Sequence, residues 1–128
     1  MSNQVVLDAS ALLALLNEEK GAQYVQDRLA GALISTVNLA EVVTRLTAIG
    51  MPQDEISDTL TLLGLEAAPF DEIQAYQAGF LYPVTHSLGL SLGDRACLAL
   101  AKSVNLPVLT ADSAWKNLDV GTQIQLIR

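Results

Sequence analysis

The chain has 128 residues, of which 51% are hydrophobic and only 16% charged, with a formal net charge of −7. That length suits a single domain over residues 1–128, and the composition excludes a disordered chain. No apolar run approaches the roughly 18 residues that a membrane-spanning helix needs, and the acidic balance argues against holding nucleic acid by bulk electrostatics. The opening MSNQ carries no positive charge, and Asp8 interrupts what would be the apolar region of a signal peptide, so the chain reads as cytoplasmic. Charge is also unevenly placed: residues 46–94 carry seven acids and no base, while residues 95–128 carry four bases and two acids. Asp54, Glu55, Asp58, Glu66, Asp71 and Glu72 in that acidic stretch fall where helix starts and solvated faces are expected.

In chain order, QVVLD (4–8) predicts a buried strand, and SALLALLN and GAQYVQDRLAG predict two helices punctuated near Gly21. ALIST (32–36) predicts a second strand, NLAEVVTRLTAIG a helix closed by Gly50, and PQDEISDTLTLLG another between Pro52 and Gly64. LEAAPF is a weaker strand. A long helix from Asp71 to Ser87 follows, with Pro83 set to kink or split it. SLGDRACLALAKSVN predicts a helix, PVLTAD a strand, SAWKN a short helix and TQIQLIR a last alternating strand. Strands separated by helices imply an α/β fold, a three-layer α/β/α sandwich around a mostly parallel central sheet. In such a sheet, ligands bind outside the carboxyl ends of the strands, where the strand order reverses.

Four acids stand at that edge. Asp8 closes the first strand and Asp112 closes PVLTAD, and a doubly wound order brings those two ends side by side. Glu41 is expected in the first turn after the second strand, and Asp94 in the first turn of the helix before PVLTAD. Each has an ordinary explanation. Asp8 and Asp112 suit N-caps, while Asn38 with Glu41 and Ser91 with Asp94 have capping-box spacing. Caps alone give no reason for acids to gather at one edge, whereas a hard divalent cation such as Mg²⁺ or Mn²⁺ requires several carboxylates facing one space.

VVLDASALLALLNEEKG, STVNLAEVVTRL, LSLGDRACLALA and PVLTADSAW together resemble the successive motifs of PIN-domain ribonucleases, in particular the virulence-associated protein C (VapC) toxins of bacterial toxin–antitoxin pairs. The resemblance runs over residues 5–116, nearly the whole chain. It implies that Asp8, Glu41, Asp94 and Asp112 occupy the four acidic metal-site positions, with Ser10 and Thr110 in supporting hydroxyl positions. It further implies metal-assisted hydrolysis of RNA, a cognate antitoxin and a homodimer. The apolar richness of SALLALLN and TLTLLG independently suggests a burial partner. One departure is Ser113, which stands where many relatives carry a base and so weakens the expected phosphate contact.

The remaining polar candidates are sparser. Arg45, four residues after Glu41, suits an ion pair within its helix and, second, a phosphate contact. Arg95 cannot share a helix face with Asp94 and is left for RNA or a partner, and Lys116 lies near the last acid. His86 sits far from any strand end, and Cys97 and Trp115 read as buried apolar groups. Two rival functions fit the same fold. A phosphotransfer domain also places an aspartate after its first strand, but the phosphatase pattern wants a second Asp where this chain has Ser10, and a receiver wants a lysine that VLTADS lacks. A catalytically silent interaction module is opposed by the presence of all four acids.

Overall fold

In the computed structural model, which describes residues 4–128, strands and helices alternate. The residues MSN, part of the stretch read above for a leader, lie outside the described residues. β1 (Val6–Leu7) runs into α1 (Ala9–Leu16), and α2 (Ala22–Gln26) leads to β2 (Leu33–Ser35). Next come α3 (Thr36–Ala48), α4 (Gln53–Leu62) and β3 (Glu66–Ala68). The segment expected as one long helix is split into α5 (Glu72–Phe80), α6 (Tyr82–Thr85) and a 3₁₀ turn at His86–Leu88. The break falls at Leu81, so that Pro83 lies in the first turn of α6, where its missing N–H costs nothing. The chain ends with α7 (Leu92–Val104), β4 (Val108–Thr110), a 3₁₀ turn at Ser113–Asn117 and β5 (Ile124–Leu126).

The five strands form one sheet in the order β3-β2-β1-β4-β5, and every pair is parallel. Alternation along the strands builds the three layers. Val6, Leu33 and Val108 turn to one face and pack with Leu98, Leu100 and Trp115, while Leu7, Ile34 and Leu109 turn to the other and pack with Leu12, Val42 and Leu46. The core is therefore two apolar clusters divided by the sheet. Both faces are covered, which is why these strands read as continuous apolar runs rather than as alternating ones. No helix among the described residues is long and apolar enough to cross a membrane.

The order reverses at β1, whose neighbours are β2 on one side and β4 on the other. Register pairs Leu7 with Leu109, so the carboxyl ends of β1 and β4 lie level. Asp8 and Thr110 are the residues that follow in each strand. The switch point of the sheet therefore lies at these two strand ends.

α2 packs against the end of the chain through Gly21. Its φ is +98°, and a Cβ there would lie 2.7 Å from the Ile127 carbonyl oxygen. Gly50 has a similar φ of +94° but nothing within 4 Å. Gly50→Ala should therefore cost only the left-handed backbone penalty, about 1–2 kcal/mol, and Gly21→Ala should cost at least about 1 kcal/mol more. Urea unfolding of the two variants measures the difference.

Candidate active site at the carboxyl edge of the sheet

Asp8 is buried, with 3% of its surface exposed, although it belongs to a type that is almost never buried without partners. It is the N-cap of α1, its Oδ1 accepting hydrogen bonds from the Ala11 N–H at 2.8 Å and from the Ser10 hydroxyl at 2.7 Å. Its Oδ2 accepts from the Thr110 hydroxyl at 2.5 Å. Ser10 Oγ in turn accepts from the Ala111 N–H at 2.9 Å, and Thr110 Oγ1 from the Asp112 N–H at 3.1 Å. The two hydroxyls thus tie the end of β1 to the end of β4. Even with three donors, burial pushes the Asp8 carboxyl up to about 6, and the charge of Asp94 adds to the rise.

The other acids approach from the flanks. Asp94 closes a capping box at the start of α7: its Oδ2 accepts from the Ser91 N–H at 2.9 Å and its own N–H donates to Ser91 Oγ at 3.2 Å. Its carboxyl is raised by burial and secondarily by the charge of Asp112. Asp112 caps the 3₁₀ turn by accepting from the Ala114 N–H at 2.9 Å and remains exposed. Glu41 accepts from Asn38 Nδ2 at 2.8 Å and lies against Gly93, where an added Cβ would meet its carboxylate oxygens at 2.5 and 2.6 Å. Beneath them, the fully buried Cys97 thiol is driven up by burial and further by the fields of Asp8, Asp94 and Glu41. A thiol held protonated in this way is not a nucleophile.

Sequence and structure differ on α3. Its N-cap is Ser35, whose Oγ accepts from the Val37 N–H at 3.3 Å, so the helix starts before Asn38. Asn38 and Glu41 therefore form no capping box, and Glu41 stands in the second turn. Arg45 makes no ion pair with Glu41, the one ion pair among the described residues being Arg128 with Glu19. Arg45, Glu41, Thr36, Thr44 and Phe70 instead line a shallow groove of about 740 Å³. Arg95 turns back onto α5, donating to the Ala78 carbonyl at 3.1 Å with its guanidinium 5.5 Å from the Tyr82 ring centre. Lys116 is exposed on the 3₁₀ turn, and Trp115 is fully buried. His86 stacks on Tyr82, with ring centres 4.9 Å apart, and takes no part in the acidic group. What sequence reasoning missed is the pairing of Asn38 with Gly93: the Asn–Glu spacing was visible, but its contact with a glycine 55 residues away was not.

Among the described residues, no three His, Cys, Asp or Glu side chains already form a cage able to hold a metal ion. The donor set nevertheless fits a hard cation. All four groups are oxygen donors, and Mg²⁺ typically keeps several waters and takes only one or two protein carboxylates directly. Asp8 supplies the specific sign of fit, since its ionised form is disfavoured by burial and by Asp94, and an adjacent cation would relieve both.

An open, all-parallel sheet with helices on both faces and acids along its carboxyl edge makes this an α/β domain whose candidate site is that edge. The PIN domain family model matches residues 5–121, and the chain belongs to that family. Among solved structures, a toxin–antitoxin complex from Klebsiella pneumoniae is similar, with a TM-score of 0.76 and 17% identity over 97% of this chain and 98% of that one. DNA-bound VapBC from Salmonella typhimurium gives a TM-score of 0.75 at 17% identity, covering 98% of each chain. VapC20 of Mycobacterium tuberculosis, a toxin that cleaves the sarcin-ricin loop, gives 0.70 at 14% identity over 90% of this chain and 96% of that one. At these identities the likeness is one of fold. No curated protein sequence matches the chain.

Asp8 also sets a pH dependence. A carboxyl whose folded value lies above its ordinary 3.8 destabilises the fold when ionised, so stability rises as pH falls from above 6 toward 4. The size is about 3 kcal/mol for Asp8, and the raised carboxyl of Asp94 acts in the same direction. Without added metal, thermal melts should therefore move upward between pH 7.5 and pH 5, and Asp8→Asn should flatten that rise. Melts whose midpoint falls over this range would contradict the assignment.

Proposed function

We propose that this PIN domain, acting as one unit over residues 1–128, is a ribonuclease dependent on Mg²⁺ or Mn²⁺ and the toxin of a VapC-type toxin–antitoxin pair. The observation that carries the reading is the buried, reluctantly ionised Asp8 at the switch point, with Asp94, Asp112 and Glu41 around it. In this reading Asp8, Glu41, Asp94 and Asp112 hold the cation. A divalent ion bound there would lower the pKa of a coordinated water and neutralise charge on the phosphate and leaving oxygen. Ser10 and Thr110 orient the two oxygens of Asp8, and Ser10 stands where the phosphotransfer alternative needs a second Asp. Arg45, in the groove beside Glu41, and the exposed Lys116 are the residues proposed to contact phosphates. Arg95 is engaged with α5 and is assigned no such part.

The partners follow from the same site and from the surface. RNA is the substrate, met in the cytoplasm, and a cognate antitoxin is supported by the toxin–antitoxin complexes with the same fold. A basic antitoxin side chain placed among the acids would compete with the cation. A homodimer is supported by the exposed apolar residues Ile73, Tyr76, Phe80, Tyr82 and Val84 of α5 and α6. Their exposed area is on the order of 600 Å², near the ~800 Å² per partner that a specific interface buries. Of the apolar residues expected to seek a partner on α1 and at TLTLLG, only Leu62 of α4 is exposed, the others being buried or half-buried.

Purified protein is expected to cleave cellular RNA with Mg²⁺ or Mn²⁺ and to stop on chelation, with mapped ends naming the substrate. Asp8→Asn preserves the cap, because Asn is as good an N-cap as Asp, but removes a charged donor. It should keep the fold and lower cleavage on the order of a hundredfold or more. Cleavage by this variant at the wild-type rate would sink the assignment of Asp8. For the dimer, Tyr76→Glu with Phe80→Glu should convert the sedimenting species to monomer, and a wild-type protein that sediments as monomer removes the dimer.

A further inference from the structure

Glu41 is the one acid of the group that no backbone turn fixes. Asp8 and Asp112 each accept a hydrogen bond from a backbone N–H of the turn they cap, and Asp94 accepts one from the N–H of Ser91, the cap of α7. Glu41 leaves the second turn of α3 on a longer, exposed side chain with more torsions to fix. Two residues compensate. Asn38, 1% exposed, donates from Nδ2 both to Glu41 Oε1 at 2.8 Å and to the Gly93 carbonyl at 3.0 Å. Its own Oδ1 is buried without a partner. Gly93 supplies the space, since a Cβ on it would stand 2.5–2.7 Å from all three atoms of the Glu41 carboxylate. Its backbone is not in the left-handed region, so the fold itself does not demand glycine there.

Neither feature makes sense as stability alone. A buried amide with an unpartnered oxygen costs free energy, and glycine in a helix is poorer than alanine. We infer that Asn38 and Gly93 are positioning residues that hold the Glu41 carboxylate against the start of α7, beside Asp94, for cation binding. The inference rests on the metal-dependent reading above. A purely structural strut between α3 and α7 makes the opposite prediction for one substitution. Gly93→Ala keeps the Gly93 carbonyl that Asn38 holds and improves helix propensity, so a strut would be unharmed, whereas the carboxylate must move aside.

The test is Mn²⁺ binding by the full chain, read as loss of the free-ion electron paramagnetic resonance signal, beside thermal melts without metal. Gly93→Ala should melt at or above wild type and bind Mn²⁺ at least about five-fold more weakly. Asn38→Leu should weaken binding similarly. In a Glu41→Gln background, Gly93→Ala should add less than about two-fold, because it acts through a group already lost. Binding by Gly93→Ala weakened less than about five-fold, or an undiminished effect in the Glu41→Gln background, overturns the inference while leaving the metal reading intact. If Asn38→Leu does not fold, Gly93→Ala decides alone. Wild-type protein that takes up no Mn²⁺ overturns the metal reading and this inference together.

Discussion

The hydrogen bonds from Ser10 and Thr110 to the two oxygens of Asp8 are the constraint on which the rest of the molecule depends. The Thr110 bond joins residues 102 positions apart, across the place in the sheet where the strand order reverses. Each hydroxyl is itself anchored by a backbone N–H of the β4 side, so the knot fixes how the end of β4 lies beside the start of α1. With that distance set, α7 must cross between the two halves, and it brings Asp94 and Cys97 under the same edge. The acidic group is thus a consequence of topology closed by two hydroxyls.

Asp8 and Asp112 read equally from the sequence as helix caps and as site residues, and in the structure both are caps at the carboxyl edge of the sheet. In an open α/β sheet the residue after a strand is at once the start of the next helix and part of the carboxyl edge, so one side chain serves both ends. The strands and the order of elements were legible because they depend on local apolar runs and turn chemistry, and Asp8, Asp94 and Asp112 stand at the element boundaries expected of them. Glu41 was misplaced by one turn because Asn38 is a good cap type, whereas β2 runs straight into α3 through Ser35. The pairing of Asn38 with Gly93 had no local signal, since it joins side chain to backbone between two helices. Pro83 marked the break in the long helical segment, but its position inside the first turn of α6 moved the boundary to Leu81.

Burial carries a thermodynamic consequence for the edge. Asp8 is placed where its ionised form is disfavoured, and Asp94 and Asp112 each raise the next acid in line. A core tuned only for stability would have filled this position with an apolar or neutral hydrogen-bonding residue. The fold instead holds a local store of electrostatic strain, tolerated because two extensive apolar clusters lie on either side of the sheet. Protonation of the carboxyl relieves this cost as pH falls, and at neutral pH a cation beside the acids would do the same.

Net charge sharpens that conclusion. With a formal charge of −7, the chain does not attract a polyanion by its overall field, and its middle third carries acids only. On the proposed reading, the same acids that hold a cation would repel an RNA phosphate whenever the cation is absent. A metal ion would then have two roles at this edge, relieving Asp8 and admitting phosphate, and bases such as Arg45 and Lys116 would orient what it admits. On the same reading, selectivity would have to come from short-range contacts, for which the groove beside Glu41 is the nearest surface, because the overall field of the chain does not favour a polyanion.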